Sequence, residues 1–161
     1  MLAVDGWSAP AVIDTDGPDF VESSEVVGKG RFQFEADVMA ERDRRNPAPI
    51  TSLSAPLLLR FGVSDTMELR IEIEGAQRVI DHNTATIRGG TGDTAVGLKW
   101  HSQDRDPATN TPAIAWIFHV AAPTGTNGFE GHGLAPSLRA VLTWELPHDL
   151  ALGFMPGVRY G

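Results

Sequence analysis

The chain has 161 residues, no cysteine and a formal net charge of −8. This length fits one domain, and the lack of cysteine excludes disulfides and thiolate metal sites. The acidic residues are dispersed and no basic patch stands out beyond Arg42, Arg44 and Arg45, which argues against a nucleic-acid-binding surface. The sequence has no run of about 20 apolar residues, and this excludes a transmembrane helix.

Residues 1–24 predict an irregular N-terminal leader, because prolines and glycines are interspersed among acidic and small residues. The leader has no basic residue, and its acids are Asp5, Asp14, Asp16, Asp19 and Glu22. A secretory signal starts with basic residues and continues with an apolar stretch, so this segment is not one. We therefore expect an export signal to lie outside this sequence, or the protein to stay inside the cell.

Residues 25–42 predict the first strand. From Arg31 to Glu41, apolar and polar side chains alternate, with Met39 as the exception. This period of two is typical of a two-faced strand. A strand of about 9–11 residues also has the length that crosses a bilayer at a tilt.

Six further strands follow with the same alternation, and 67–74 is the cleanest. Pro56 lacks an N–H group for the ladder, so an edge or a bulge is expected there. A long polar connection is predicted for 75–93, where glycines close onto the next strand. The predicted strands are 51–63, 67–74, 94–101, 112–122, 135–146 and 150–160.

The sequence thus predicts an all-β fold, an antiparallel up-and-down meander of about seven strands that forms a partial outer-membrane β-barrel. Tight turns are expected at one end of the strands and the longest connections at the other, an asymmetry typical of such barrels. Trp100, Trp116, Trp144 and Phe61 are predicted to lie at one level of the apolar face, as in an aromatic girdle.

Several short pieces carry a family resemblance, in the same order and with similar spacing: 55–65, 67–70, 92–100, 122–125, 136–138 and 150–153. On these pieces, residues 53–161 resemble the meta-pathway phenol-degradation family, whose members are described as outer-membrane β-barrel transporter proteins. The resemblance implies a passive channel for aromatic or other hydrophobic compounds. Family members continue with further strands beyond the position of Gly161, so we expect 25–161 to be an incomplete, truncated barrel without its C-terminal strands.

Charged and polar side chains on the inward face of the predicted strands are the candidate site. We expect them to line a lumen, in which neighbouring opposite charges pair: Arg60, Glu68, Arg70, Glu72, Lys99, His119, Arg139, Glu145 and Arg159. The histidines show no metal-ligand spacing, and Gly89–Asp93 lacks the Lys-Ser/Thr of a phosphate-binding loop. No catalytic residue, metal or cofactor is therefore predicted.

The sequence favours an outer-membrane channel for passive uptake of small molecules, with membrane lipid and a small solute as its partners, and not an enzyme. The alternative is a soluble β-barrel or sandwich that binds a small hydrophobic ligand, with its apolar faces turned inward. A third and weaker hypothesis is a β-rich glycosidase, which would rest on Glu68, Glu72 and Glu74 alone.

Overall fold

The computed structural model describes residues 15–16, 21–44, 49–148 and 150–161. These residues form ten strands in one antiparallel sheet. Over the same ranges, no helix is long and apolar enough to cross a membrane. The strands are β1 (Phe32–Ala36), β2 (Met39–Asp43), β3 (Ile50–Gly62), β4 (Met67–Asp81), β5 (Thr86–Thr91), β6 (Thr94–Gln103), β7 (Ala113–Ala122), β8 (Ala135–Leu146), β9 (Leu150–Phe154) and β10 (Gly157–Arg159).

The sheet is an up-and-down meander that curls as a half-barrel. The path β1-β3-β4-β6-β7-β8-β10 gives seven strand positions, while β2, β5 and β9 pair beside β3, β4 and β8. Successive positions are hydrogen-bonded neighbours and run antiparallel, because short connections join each strand to the next. The predicted all-β class, meander and number of strand positions are confirmed.

The prediction of one continuous strand over 25–42 is wrong. Its place is taken by β1 and β2, which both pair with β3 and are separated opposite Pro56. On the other side of β3, Ala55 opposes both Gly75 and Ala76, which is a β-bulge. The expected irregularity at Pro56 is thus confirmed, and it interrupts the pairing on both sides of β3.

The predicted polar connection over 75–93 is also wrong. Strand β4 continues to Asp81 and returns as β5, which pairs with it from Ala76 to Asp81. The continuation passes through the bulge at Gly75, whose φ is +65° and whose Cα faces the carbonyl of Ala55. A side chain there would collide with that carbonyl, and the left-handed backbone favours glycine in any case. The hairpin was not predicted because the glycines of β5 were interpreted as part of a loop.

The last predicted strand, 150–160, is divided into β9 and β10. Pro156 lies between them, and its carbonyl accepts a hydrogen bond from the Ala140 amide at 2.9 Å. Because proline has no N–H group to continue the ladder, the strand breaks here while both halves still pair with β8.

The outer face of the sheet is apolar and exposed. Two rows of aligned residues cross all seven strand positions; Phe118 and Val96, one from each row, are 50% and 58% exposed. The first row runs Phe32, Phe61, Leu69, Leu98, Phe118, Leu138, Val158, and the second runs Phe34, Leu59, Ile71, Val96, Val120, Pro136, Tyr160.

Trp100, Trp116 and Trp144 lie at the same end of the outer face but not all at one level. Trp100 and Trp116 oppose each other across β6 and β7, whereas Ala140 and not Trp144 opposes Trp116 on β8. Trp144 lies further along β8, opposite Leu152 of β9. The common level predicted for the three tryptophans therefore holds for the first two only.

The inner face is where side chains are buried. A small apolar cluster of Ala115, Ile117 and Val141 lies there, covered by Val21 and Met155. Ile117 breaks the polar alternation of β7, and this cover explains why an apolar residue is placed inward. The rest of the inner face is polar, and its buried side chains are mostly charged.

Candidate functional site

Three adjacent strands place three cations side by side on the inner face. Arg60 of β3 opposes Arg70 of β4, and Lys99 of β6 opposes Glu68 of β4. Each of these four side chains is at most 2% exposed. Charges buried this far need partners, because the loss of hydration is otherwise uncompensated.

Glu68 is the central carboxylate of this group. Its Oε1 lies 2.9 Å from Arg60 Nε and 3.0 Å from Arg70 Nη1. Glu35 of β1 adds a second carboxylate, 3.2 Å from Arg60 Nη1. The pairing of opposite charges expected from the sequence is therefore present at Arg60 and Arg70.

The leader supplies a third carboxylate. Asp16 lies on the inner face with its Oδ2 2.5 Å from Arg70 Nη1, 3.4 Å from Arg60 Nη2 and 3.0 Å from Lys99 Nζ. Lys99 also donates to the other oxygen, at 3.1 Å. One carboxylate thus receives all three cations, an arrangement with strong charge-assisted hydrogen bonds. We refer to Arg60, Arg70 and Lys99 as the cation triad.

The two described acids of the leader next to the sheet are electrostatically different. Burial raises the pKa of Asp16, but the charges of Lys99, Arg70 and Arg60 outweigh it and hold that pKa below its ordinary value. Burial raises the pKa of Glu22, and Arg70 and Arg139 only partly offset it. Asp16 is therefore stabilised as an anion, whereas the environment of Glu22 disfavours its charge.

Backbone contacts continue the docking of the leader along the inner face. The Val27 amide donates to Glu68 Oε2 at 2.9 Å, and Arg60 Nη2 donates to the Glu25 carbonyl at 3.1 Å. Further on, the Gly30 amide donates to the Gly62 carbonyl at 2.8 Å. Residues 25–30, which connect the leader to β1, are thus also bound to the sheet.

A second polar group lies beside the triad. His119 is buried, and its Nδ1 lies 2.7 Å from Nη2 of Arg139. Because a guanidinium only donates, Nδ1 must accept, and the neutral ring then carries its proton on Nε2. That nitrogen lies 3.4 Å from Glu72 Oε1, which also lies 3.4 Å from Arg139. Gly97 faces the ring and leaves room for it.

An open cavity of about 410 Å³ lies next to this group on the inner face. Alanines and glycine form part of its wall, which is why space remains between the strands. Its polar lining includes Glu72, Glu74, Asp93, His119, Ser137, Arg139 and Arg159. The arrangement can bind a small solute through charged hydrogen bonds on one side and small apolar groups on the other.

Not all the predicted lumen residues come together. One continuous set of contacts joins Arg60, Glu68, Arg70, Glu72, His119 and Arg139, and Lys99 is connected to it through Asp16. Glu145 is exposed and pairs with Arg105, and Arg159 is exposed on β10 at the rim of the cavity. The sequence analysis missed Asp16 and Glu22, because a leader without periodicity gives no sign of the face it covers. Its excess of acids was the available signal.

Among the described residues, no group of three or more His, Cys, Asp or Glu side chains is arranged to hold a metal ion. The chemistry that the inner face offers is therefore that of paired charges and hydrogen-bond donors.

One comparison with known proteins is informative. The sequence model of the family described as "Putative MetA-pathway of phenol degradation" matches residues 15–161. Neither a curated protein nor a solved structure matches the chain. The match begins within the leader, so the triad, Asp16 and Glu22 fall inside the matched region.

Proposed function

From the premise that the chain belongs to this phenol-degradation family, we propose that it forms the wall of an outer-membrane β-barrel for passive passage of small solutes. Its partners are then membrane lipid outside and a small, aromatic or hydrophobic solute inside. The protein is proposed to act without catalysis and without nucleic acid.

One observation carries the proposal: the apolar and charged faces are reversed relative to a water-soluble protein. On β4, Leu69 and Ile71 are 51% and 40% exposed, while Glu68 and Arg70 between them are 0% and 2% exposed. A soluble sheet buries its apolar face and exposes its charges. Strands in a bilayer do the opposite, with lipid against the apolar side and a polar interior.

The arrangement of the backbone supports the same proposal. The antiparallel strands satisfy each other's hydrogen-bonding groups across the sheet, which is required where no water is available. Strands β3 and β4 have 13 and 15 residues, longer than the 9–11 or so needed to cross a bilayer. Their outer ends can then extend beyond the membrane.

The soluble alternative needs apolar faces turned inward and charges turned toward water. On β3, β4 and β6 the structure has the reverse order, with buried charges on the inner face and exposed apolar residues on the outer face. The glycosidase hypothesis gains nothing either, since Glu68 is fully engaged by two arginines and the Val27 amide. We therefore do not propose either function.

The test is reconstitution of the purified chain in lipid vesicles. We expect the protein to need detergent for purification and to remain with the vesicles after an alkaline wash. We also expect it to accelerate efflux of a small neutral aromatic solute relative to empty vesicles. A monodisperse, soluble protein without detergent would overturn the membrane assignment. Insertion without any change in efflux would overturn transport alone.

A further inference from the structure

A further inference concerns the cation triad as a binding site for a solute, and it rests on the proposed function. We propose that Arg60, Arg70 and Lys99 form a binding site for the carboxylate of a diffusible monocarboxylate solute, and that Asp16 of the leader occupies it when no solute is bound.

The geometry around Asp16 is that of a bound carboxylate ligand. Lys99 Nζ contacts both of its oxygens, at 3.1 and 3.0 Å, and Arg70 Nη1 lies 2.5 Å from Oδ2. The three cations come from three neighbouring strands, while Asp16 lies outside the strands. The sheet therefore determines the positions of the three cations, and the leader contributes only the carboxylate that they bind.

Lys99 is the member of the triad that most needs an anion from outside the strands. Arg60 contacts Glu35 and Glu68 of the sheet, and Arg70 contacts Glu68, Glu72 and Glu22. The described hydrogen bonds of Lys99 Nζ are both with Asp16. A buried charge without a partner is strongly unfavourable, so Lys99 requires a carboxylate at this position. Asp16 supplies it now, and a solute carboxylate has the same charge and the same two acceptor oxygens.

Space for the body of a solute lies beside the occupant. A cavity of about 200 Å³ is lined by Asp16 and Arg70 and by an apolar wall that includes Pro56, Leu58 and Ile73. Its remaining lining is acidic, with Glu22, Glu35, Asp37, Glu72 and Glu74. Those acids repel a second negative charge, so the site should favour one carboxylate on an apolar body over a polyvalent anion.

The first experiment measures equilibrium binding of benzoate to the full chain in detergent micelles. Asp16→Asn removes the internal carboxylate and keeps its shape, and we expect benzoate to bind at least about tenfold more tightly to this variant than to the wild type. Lys99→Gln in the Asp16→Asn background should abolish the gain. The matched control is Asp106→Asn in an exposed loop, which should leave binding unchanged.

Two further probes define the chemistry. Benzamide has the same ring without the charge, and inorganic phosphate has charge without the ring. We expect neither to gain affinity from Asp16→Asn. An equal gain for phosphate would show a general anion site and overturn the monocarboxylate class. An unchanged benzoate affinity in a folded Asp16→Asn protein would overturn the site and leave Asp16 as an anchor of the leader.

A measurement on the wild type covers the case in which Asp16→Asn does not fold. Lys29 is exposed between the leader and β1, so trypsin cleavage after it reports release of the leader. Benzoate should accelerate the cleavage about tenfold or more at saturation, and benzamide should not. No acceleration by benzoate overturns the proposal. Because neither readout involves a vesicle, failure here is distinguishable from failure of channel function.

Discussion

The outer face of the strands is apolar and exposed, whereas the inner face of the same strands is charged and buried. On β4, Leu69 and Ile71 face outward among other exposed apolar residues, and Glu68 and Arg70 face inward and are buried. Alternation along each strand produces both faces at once, because successive side chains point to opposite sides.

The comparison of the two faces shows that the burial of a side chain does not follow from its polarity. Described leader residues such as Asp16 and Val21 pack against the inner face, and its charges are compensated by carboxylates of the leader and the sheet. The outer face is exposed because no described residue covers it. In water its apolar rows would be unfavourable, whereas hydrocarbon is a favourable environment for them. The medium in contact with the outer face therefore determines whether exposure of its apolar rows is favourable or unfavourable.

The largest expected effect is on the inner face. Glu68→Gln removes the carboxylate shared by Arg60 and Arg70, so two buried guanidinium groups lose a partner. We expect the free energy of unfolding to fall by about 3–5 kcal/mol in detergent or lipid. Glu145→Gln is the control, since Glu145 is exposed in its pair with Arg105 and such pairs contribute about 0–1 kcal/mol. Equal losses in the two variants would contradict the account of the inner face.

On the outer face, an introduced charge distinguishes lipid from water. Ile71→Arg places arginine within the second apolar row, and in a bilayer this should cost about 2–4 kcal/mol of folding free energy. Ile87→Arg is matched in residue type and lies in β5, away from those rows, with a side chain 57% exposed. We expect about 0–1 kcal/mol there. Denaturant titrations in vesicles measure both, and a silent Ile71→Arg would mean that this row faces water.

A smaller effect is expected where the inner face is closely packed. A Cβ atom at Gly97 would overlap the ring of His119 and the carbonyl of Phe118. Gly97→Ala should therefore cost about 1–3 kcal/mol, as overpacked sites do. Gly133→Ala serves as the control, because nothing lies within 4 Å of a Cβ atom there. If thermal unfolding shows the two variants to be alike, the packing of His119 against β6 is not as described.

The smallest effect concerns docking of the leader and its pH dependence. The folded-state pKa of Asp16 lies below 3.8, so its contribution is present above pH 3.8 and is lost as the pH falls through the folded-state value. The pKa of Glu22 is raised above 4.5, so its contribution is full below pH 4.5 and is lost as the pH rises through its folded-state value.

At neutral pH the two leader acids should therefore respond differently to neutralisation. Hydrogen-exchange protection of the Val27 amide, which donates to Glu68, is a suitable readout. Asp16→Asn should lower it about tenfold, and Glu22→Gln should change it by less than about twofold. The effect of Asp16→Asn should disappear only as the pH falls through the folded-state pKa of Asp16, which lies below 3.8. Equal effects at neutral pH would contradict the electrostatic difference between the two acids.

Much of the sheet could be predicted because alternation is a local signal. The strand at 67–74, its two faces and the irregularity at Pro56 all follow from neighbouring residues. The hairpin after Gly75 could not, because its bulge depends on Ala55, which is distant in sequence. The inward position of the apolar Ile117 could not be explained from β7 alone for a similar reason. The residues that cover it, Val21 and Met155, are distant in sequence.

Only the site residues that belong to the sheet could be predicted from the sequence. Arg60, Arg70 and Lys99 each occupy an inward position that the alternation identifies. Their occupant, Asp16, lies 83 residues from Lys99 in a segment without periodicity, so no pattern connects the two. A count of charges on the inward positions, compared with the acids of the leader, was the one route by which sequence could have suggested the contact.

The most direct test of the central claim is to locate the two faces relative to lipid. The chain has no cysteine, so Phe118→Cys on the outer face and Ser137→Cys on the inner face can each carry one fluorophore. We expect brominated lipid chains to quench the label at 118 and aqueous iodide not to quench it, with much weaker lipid quenching at 137. Quenching of the label at 118 by iodide but not by brominated lipid would contradict the membrane assignment.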